Sequence, residues 1–132
     1  GVTAASAAAA EVGGFLTQRG RTDALVLCTG QARPGDPAPD WGRHAQPGTK
    51  LAIYMGIATA AEIQASLLGA GAPEAAAVEI VVRASHPDAR VIRTTLGAMV
   101  ETVAAEAVEN PAMLLIEFPK AVAFEAAARA RA

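Results

Sequence analysis

Cysteine is almost missing from this chain. Cys28 stands alone among 132 residues, which excludes an intrachain disulfide and leaves no thiolate cluster for zinc. It lies in the apolar run from Ala24, so it reads as a small core residue rather than a nucleophile. Aromatic residues are scarce as well, at 4% against 52% hydrophobic, so the core must be aliphatic and finely packed. Charge of one sign is not in excess. A net charge of −2 gives no electrostatic case for nucleic acid, and no such partner is expected. No apolar run approaches the roughly 20 residues that span a bilayer, and no basic segment precedes an apolar one at the start. No membrane partner is expected, and the placement expected is cytoplasmic. An initiating methionine is also lacking, so the chain is expected to be a piece of something longer. Finally, there is no P-loop, no GxGxxG and no triad, and the scatter of Gly30, Gly35 and Gly42 is too loose to cradle phosphates. His44 and His86 do not pair convincingly as ligands, so no metal is expected.

What is present is organised around Leu51-Ala52-Ile53-Tyr54-Met55-Gly56. An apolar run closed by glycine predicts a buried strand with a tight exit. Beyond it, Ile63 and Leu67 share a helical face, and Thr59 with Glu62 three residues on predicts a capped helix start. Ligands of open α/β sheets gather at strand carboxyl ends, which makes Met55 and Gly56 the first place to look for a site.

The remaining segments fit around that unit. Alanine-rich Thr3 to Val12 predicts a helix, capped by Thr3 or Ser6 and stopped by Gly13-Gly14; its small side chains require a close neighbour. The connector 15–23 carries Arg19 and Arg21. Ala24 to Gly30 predicts another buried strand. Residues 31–48, rich in proline and glycine, form a long loop, with Asp40 capping a short helix from Trp41 to Ala45. Ala77 to Val82 and Ala112 to Phe118 predict buried strands, while Arg90 to Leu96 alternates like a half-exposed one. Leu96, Met99, Val100 and Val103 recur at helical spacing to about Ala107, and an alanine-rich tail from Val122 to Ala132 predicts a last helix. The expected fold class is α/β: a single layered domain over residues 1–132, with a mixed sheet of about five strands flanked by about five helices.

Several stretches in order carry a resemblance: Gly1 to Ala10, Leu16 to Arg19, Thr29-Gly30, Tyr54-Met55-Gly56, His86 to Val91 and Pro111-Ala112. Together they resemble the C-terminal half of the uroporphyrinogen-III C-methyltransferases, the tetrapyrrole methylases also found at the end of siroheme synthase. The resemblance covers residues 1 to about 118. It implies an enzyme that transfers methyl groups from S-adenosylmethionine to ring carbons of uroporphyrinogen III, giving precorrin-2 for siroheme or cobalamin and S-adenosylhomocysteine as product. It implies a homodimer, and a cofactor cleft between two α/β domains of which this chain is the C-terminal one. By position, Thr3, Ala4, Met55, Ala84, Pro111 and Ala112 would contact the cofactor. Arg19, Arg21 and Arg33 are candidates for the substrate's carboxylates. No protein nucleophile is implied, because the cofactor carries the reactive group. With the other domain outside this chain, the fragment alone is expected not to methylate. Gln18, Gln31 and Arg83 stand where the family usually has histidine, histidine and asparagine. They leave open a non-catalytic relative that binds a tetrapyrrole or a partner chain. Another precorrin methyltransferase of the same superfamily is a further alternative.

Overall fold

The computed structural model describes residues 3–14 and 16–120. The chain runs α1 (Ala4–Val12), β1 (Ala24–Thr29), a short 3-10 helix (Trp41–His44), β2 (Thr49–Tyr54), α2 (Ala60–Gly69), β3 (Ala77–Val82), β4 (Arg90–Thr95), α3 (Met99–Ala105) and β5 (Ala112–Phe118). The strands form one mixed sheet in the order β1-β2-β5-β3-β4. β1 and β2 are parallel, and β5 is antiparallel to both β2 and β3. β4 is antiparallel to β3. The carboxyl ends of β1, β2 and β3 therefore share one edge of the domain with the amino end of β5. The mixed α/β layering is the one expected. The predicted helix at 122–132 lies outside the described residues.

Period-2 alternation sorts the side chains to the two faces of the sheet. One face sends Leu51, Ile53, Ile80, Leu114 and Ile116 into a cluster with Trp41, Ile63, Leu67 and Met99. The 3-10 helix packs on α2, and α2 on α3, to cover this face. The other face buries Ala52, Val81, Met113 and Leu115 against Ala5 and Ala8 of α1. Alanine on both sides of that contact lets α1 lie close over β3, β4 and β5.

Three expectations need correction. β1 is an edge strand whose residues are half-exposed or exposed, and Leu27 is 50% exposed. An apolar run shows that a strand packs on something but not that both its flanks are covered. Thr59 sits at the start of α2 but makes no side-chain cap bond. Its hydroxyl donates instead to the Gly30 carbonyl at 2.5 Å, a tertiary bond that a local capping pattern does not reveal. Asp40 likewise precedes the 3-10 helix without a cap bond. Thr3 does cap α1, its Oγ1 accepting the Ser6 N–H at 3.2 Å.

Candidate functional site

The shared edge of the sheet opens into a cavity of about 600 Å³. Its floor is one cross-strand row: Tyr54 and Val81 both stand opposite Met113. Ala4 and Ala7 of α1 form one side. Gln31 and Met55, just past β1 and β2, form another. Ala84 and His86 from the turn after β3, with Asn110, Pro111 and Ala112 leading into β5, complete it.

Each wall is held by identifiable contacts. Gly30 N–H donates to the Tyr54 carbonyl at 2.6 Å, which brings the exits of β1 and β2 together. Thr29 Oγ1 accepts the Gln31 N–H at 3.1 Å, and Trp41 Nε1 donates to the Thr29 carbonyl at 2.9 Å. Met55 is 49% exposed and sits in the left-handed region with φ 54, a conformation unusual for a residue with a side chain and typical of functional positions. The turn after β3 is tied to β5 by Arg83 N–H donating to the Pro111 carbonyl at 2.9 Å. Within it, Arg83 Nε pairs with Asp88 at 2.9 Å. That hydrogen bond is the leading reason the Asp88 carboxyl titrates below its usual range.

Five of the six positions expected to contact a cofactor line the cavity: Ala4, Met55, Ala84, Pro111 and Ala112. Thr3 precedes them by one residue and spends its hydroxyl on the helix cap. The arginines are elsewhere. Arg21 pairs with Glu117 at 2.5 Å, at the far end of β5 from the cavity, where Glu117 also faces Lys50 at 3.8 Å. Arg33 is exposed and pairs with Asp36, and Arg19 is an exposed residue of the tight 18–22 turn. Sequence reasoning did not single out Ala7, Gln31, Tyr54, Val81, His86, Asn110 or Met113 as site residues. Alternation shows that Tyr54 and Ala52 share a face, but not which face carries the cavity. Cys28 packs from the opposite face, and burial pushes its thiol up in pKa. Among the described residues, no group of three or more His, Cys, Asp or Glu converges for a metal, and no helix is long and apolar enough to cross a membrane.

Comparison with known proteins places these features. A family model described as tetrapyrrole (corrin/porphyrin) methylases matches residues 1–100. A uroporphyrinogen-III C-methyltransferase of Pseudomonas aeruginosa is 35% identical over 116 residues, 88% of this chain and 47% of that protein. A siroheme synthase of Pseudoalteromonas translucida is 34% identical over 116 residues, again 88% of this chain but 24% of that protein. The chain therefore spans at most about half the length of these relatives. Among solved structures, a uroporphyrin-III C-methyltransferase of Thermus thermophilus superposes with a TM-score of 0.74 at 28% identity, covering 89% of this chain and 48% of that one. The same enzyme complexed with S-adenosyl homocysteine gives 0.69 at 26% identity, with 80% and 45% covered. A cobalt precorrin-4 methyltransferase at 24% identity shares the fold, with a TM-score of 0.80 over 89% of this chain and 49% of that one.

Proposed function

The chain belongs to the tetrapyrrole methylase family, and from that premise we infer that it is the C-terminal domain of an S-adenosylmethionine-dependent uroporphyrinogen-III C-methyltransferase. The observation that carries this reading is the cavity at the strand ends. Its volume of about 600 Å³ falls within the roughly 300–1,000 Å³ of small-molecule sites. Alanines at 4, 7, 84 and 112 leave room for a ligand to approach the backbone. Met55 and Met113 offer polarizable contacts to a flat ring. Tyr54, Asn110 and Gln31 add neutral polar groups. A largely apolar lining with a few neutral polar groups suits a nucleoside sulfonium such as S-adenosylmethionine and the thioether S-adenosylhomocysteine that it leaves as product.

When bound, that cofactor supplies an electrophilic methyl group. This chain's own contribution is to hold and orient: the α1 alanines, the left-handed Met55 and the turn after β3 shape three sides of the cavity and together form one wall of the cleft. A second wall outside these residues would complete the cleft and bind most of the tetrapyrrole, uroporphyrinogen III. The 132 residues alone are accordingly expected to be inactive. The same reading carries a homodimeric, cytoplasmic enzyme of siroheme or cobalamin formation.

One observation favours a second reading, a non-catalytic domain that binds a tetrapyrrole or a partner chain. None of Arg19, Arg21 and Arg33 lines the cavity, so no arginine of this set faces a substrate carboxylate there. Calorimetric titration of the protein, as its gene encodes it, with S-adenosylhomocysteine separates the two. Saturable binding followed by methyl transfer to uroporphyrinogen III supports the enzyme. Absence of binding removes it.

A further inference from the structure

Glu11 occupies the last turn of α1, where the negative end of the helix dipole disfavours a carboxylate. A local rule broken at an exposed position calls for a compensating contact, and Ser85 provides it. Glu11 Oε1 accepts the Ser85 backbone N–H at 2.9 Å, across 74 residues of sequence. Ser85 has φ 70 and Arg83 φ 54, so the turn between β3 and β4 holds two non-glycine residues in the left-handed region. Such a backbone persists where its surroundings fix it. The bonds from Arg83 to Pro111 and Asp88 tie the turn to β5 and to itself, and Glu11 ties it to α1.

Both ends of that tie belong to the cavity. α1 supplies Ala4 and Ala7, and the turn supplies Ala84 and His86. We propose that Glu11 is a positioning residue: its bond to Ser85 sets the spacing between the α1 wall and the turn wall of the site. Glu11 does not line the cavity itself. The proposal rests on the cavity being the cofactor site. It adds that affinity there depends on a carboxylate at the opposite end of the helix from Ala4.

The test compares Glu11→Ala and Glu11→Gln in the full protein, with two readouts. Amide hydrogen exchange over 83–89 reports the tie without any ligand. Calorimetry with S-adenosylhomocysteine as the probe reports the site. Because the contact is exposed, Glu11→Ala is expected to speed exchange at Ser85 and His86 by about tenfold and to weaken the probe by about fivefold. Exchange across β2, β3 and β5 should stay unchanged. Glu11→Gln keeps an acceptor oxygen and should recover most of both effects, which a general loss of helix stability would not produce. Unchanged exchange at Ser85 in Glu11→Ala overturns the proposal, and so does faster exchange with unchanged affinity. A wild-type protein that does not bind the probe overturns the cofactor reading instead, and the exchange comparison then still decides whether Glu11 holds the turn.

Discussion

Gly30 and Gly56 touch backbone to backbone: a Cβ built on Gly30 would lie 2.4 Å from the Gly56 Cα and 2.6 Å from the Met55 carbonyl oxygen. Neither glycine takes a positive φ, so close approach rather than dihedral freedom requires them. The contact holds the exits of β1 and β2 together and presents Gln31 and Met55 to the cavity side by side. Gly30→Ala has no flexible neighbour to displace. It should cost about 1–3 kcal/mol in denaturant unfolding and weaken S-adenosylhomocysteine with it. A variant that keeps full stability would show that the two strand exits can part freely.

Ala4→Leu tests the cavity from the side of α1. Ala4 is exposed, so stability should move by no more than about 0.5 kcal/mol. The added bulk enters the space a ligand would use, and affinity for S-adenosylhomocysteine should fall at least about tenfold. Equal affinity in titration calorimetry would move the site elsewhere.

At the far end of β5, Glu117 serves Arg21, which is exposed, and Lys50, whose side chain is buried. Arg21→Ala should therefore cost under about 1 kcal/mol. Glu117→Gln removes the negative charge from beside a desolvated ammonium and should cost about 1–3 kcal/mol. Urea midpoints of the two variants give the ordering, and a Glu117→Gln cost no larger than that of Arg21→Ala would mean that the contact with Lys50 contributes nothing.

Cys28 supplies a pH test. Burial raises its pKa, so the folded chain holds the thiol proton more tightly than the unfolded chain. The resulting stability is present below the unfolded thiol's pKa and is lost as pH rises through the folded one. Because the thiolate is the reactive form, iodoacetamide should modify Cys28 more slowly at pH 8 than a free cysteine. A rate equal to that of free cysteine would contradict the shift.

Asp88 has the opposite sign. Its hydrogen bond from Arg83 lowers the folded pKa, so its contribution is present above the unfolded carboxyl's pKa and is lost as pH falls through the folded one. Asp88→Asn should flatten the acid limb of turn stability, read as amide exchange over 83–89 against pH. An identical acid limb in the variant would assign that titration to another group.

Much of this was legible in the chain. The runs at Ala77–Val82 and Ala112–Phe118 are strands with the predicted bounds, because continuous β-branched and aliphatic runs have few other uses in a mixed sheet. The convergence of Met55, Ala84 and Pro111 was legible only through family resemblance. Physically it depends on β5 running antiparallel between β2 and β3, and no hydrophobic pattern encodes strand order. The edge position of β1 was hidden for the same reason. Thr59 and Glu11 show the other limit. Both are polar residues at helix ends whose partners, Gly30 and Ser85, are tertiary neighbours far away in sequence.

The place of β5 has a consequence for how such a site can change. Its alternation gives Met113 to the cavity floor and Leu114 and Ile116 to the opposite core, where both are fully buried. A slip of one residue against Tyr54 and Val81 would turn Met113 away and drive those core side chains onto the other face. Cohesion and recognition thus answer to one geometric variable. The ligand preference of this domain cannot drift by sliding its central strand. It can drift by exchanging what α1 and the loops at 31, 55, 84–86 and 110–111 place above that strand.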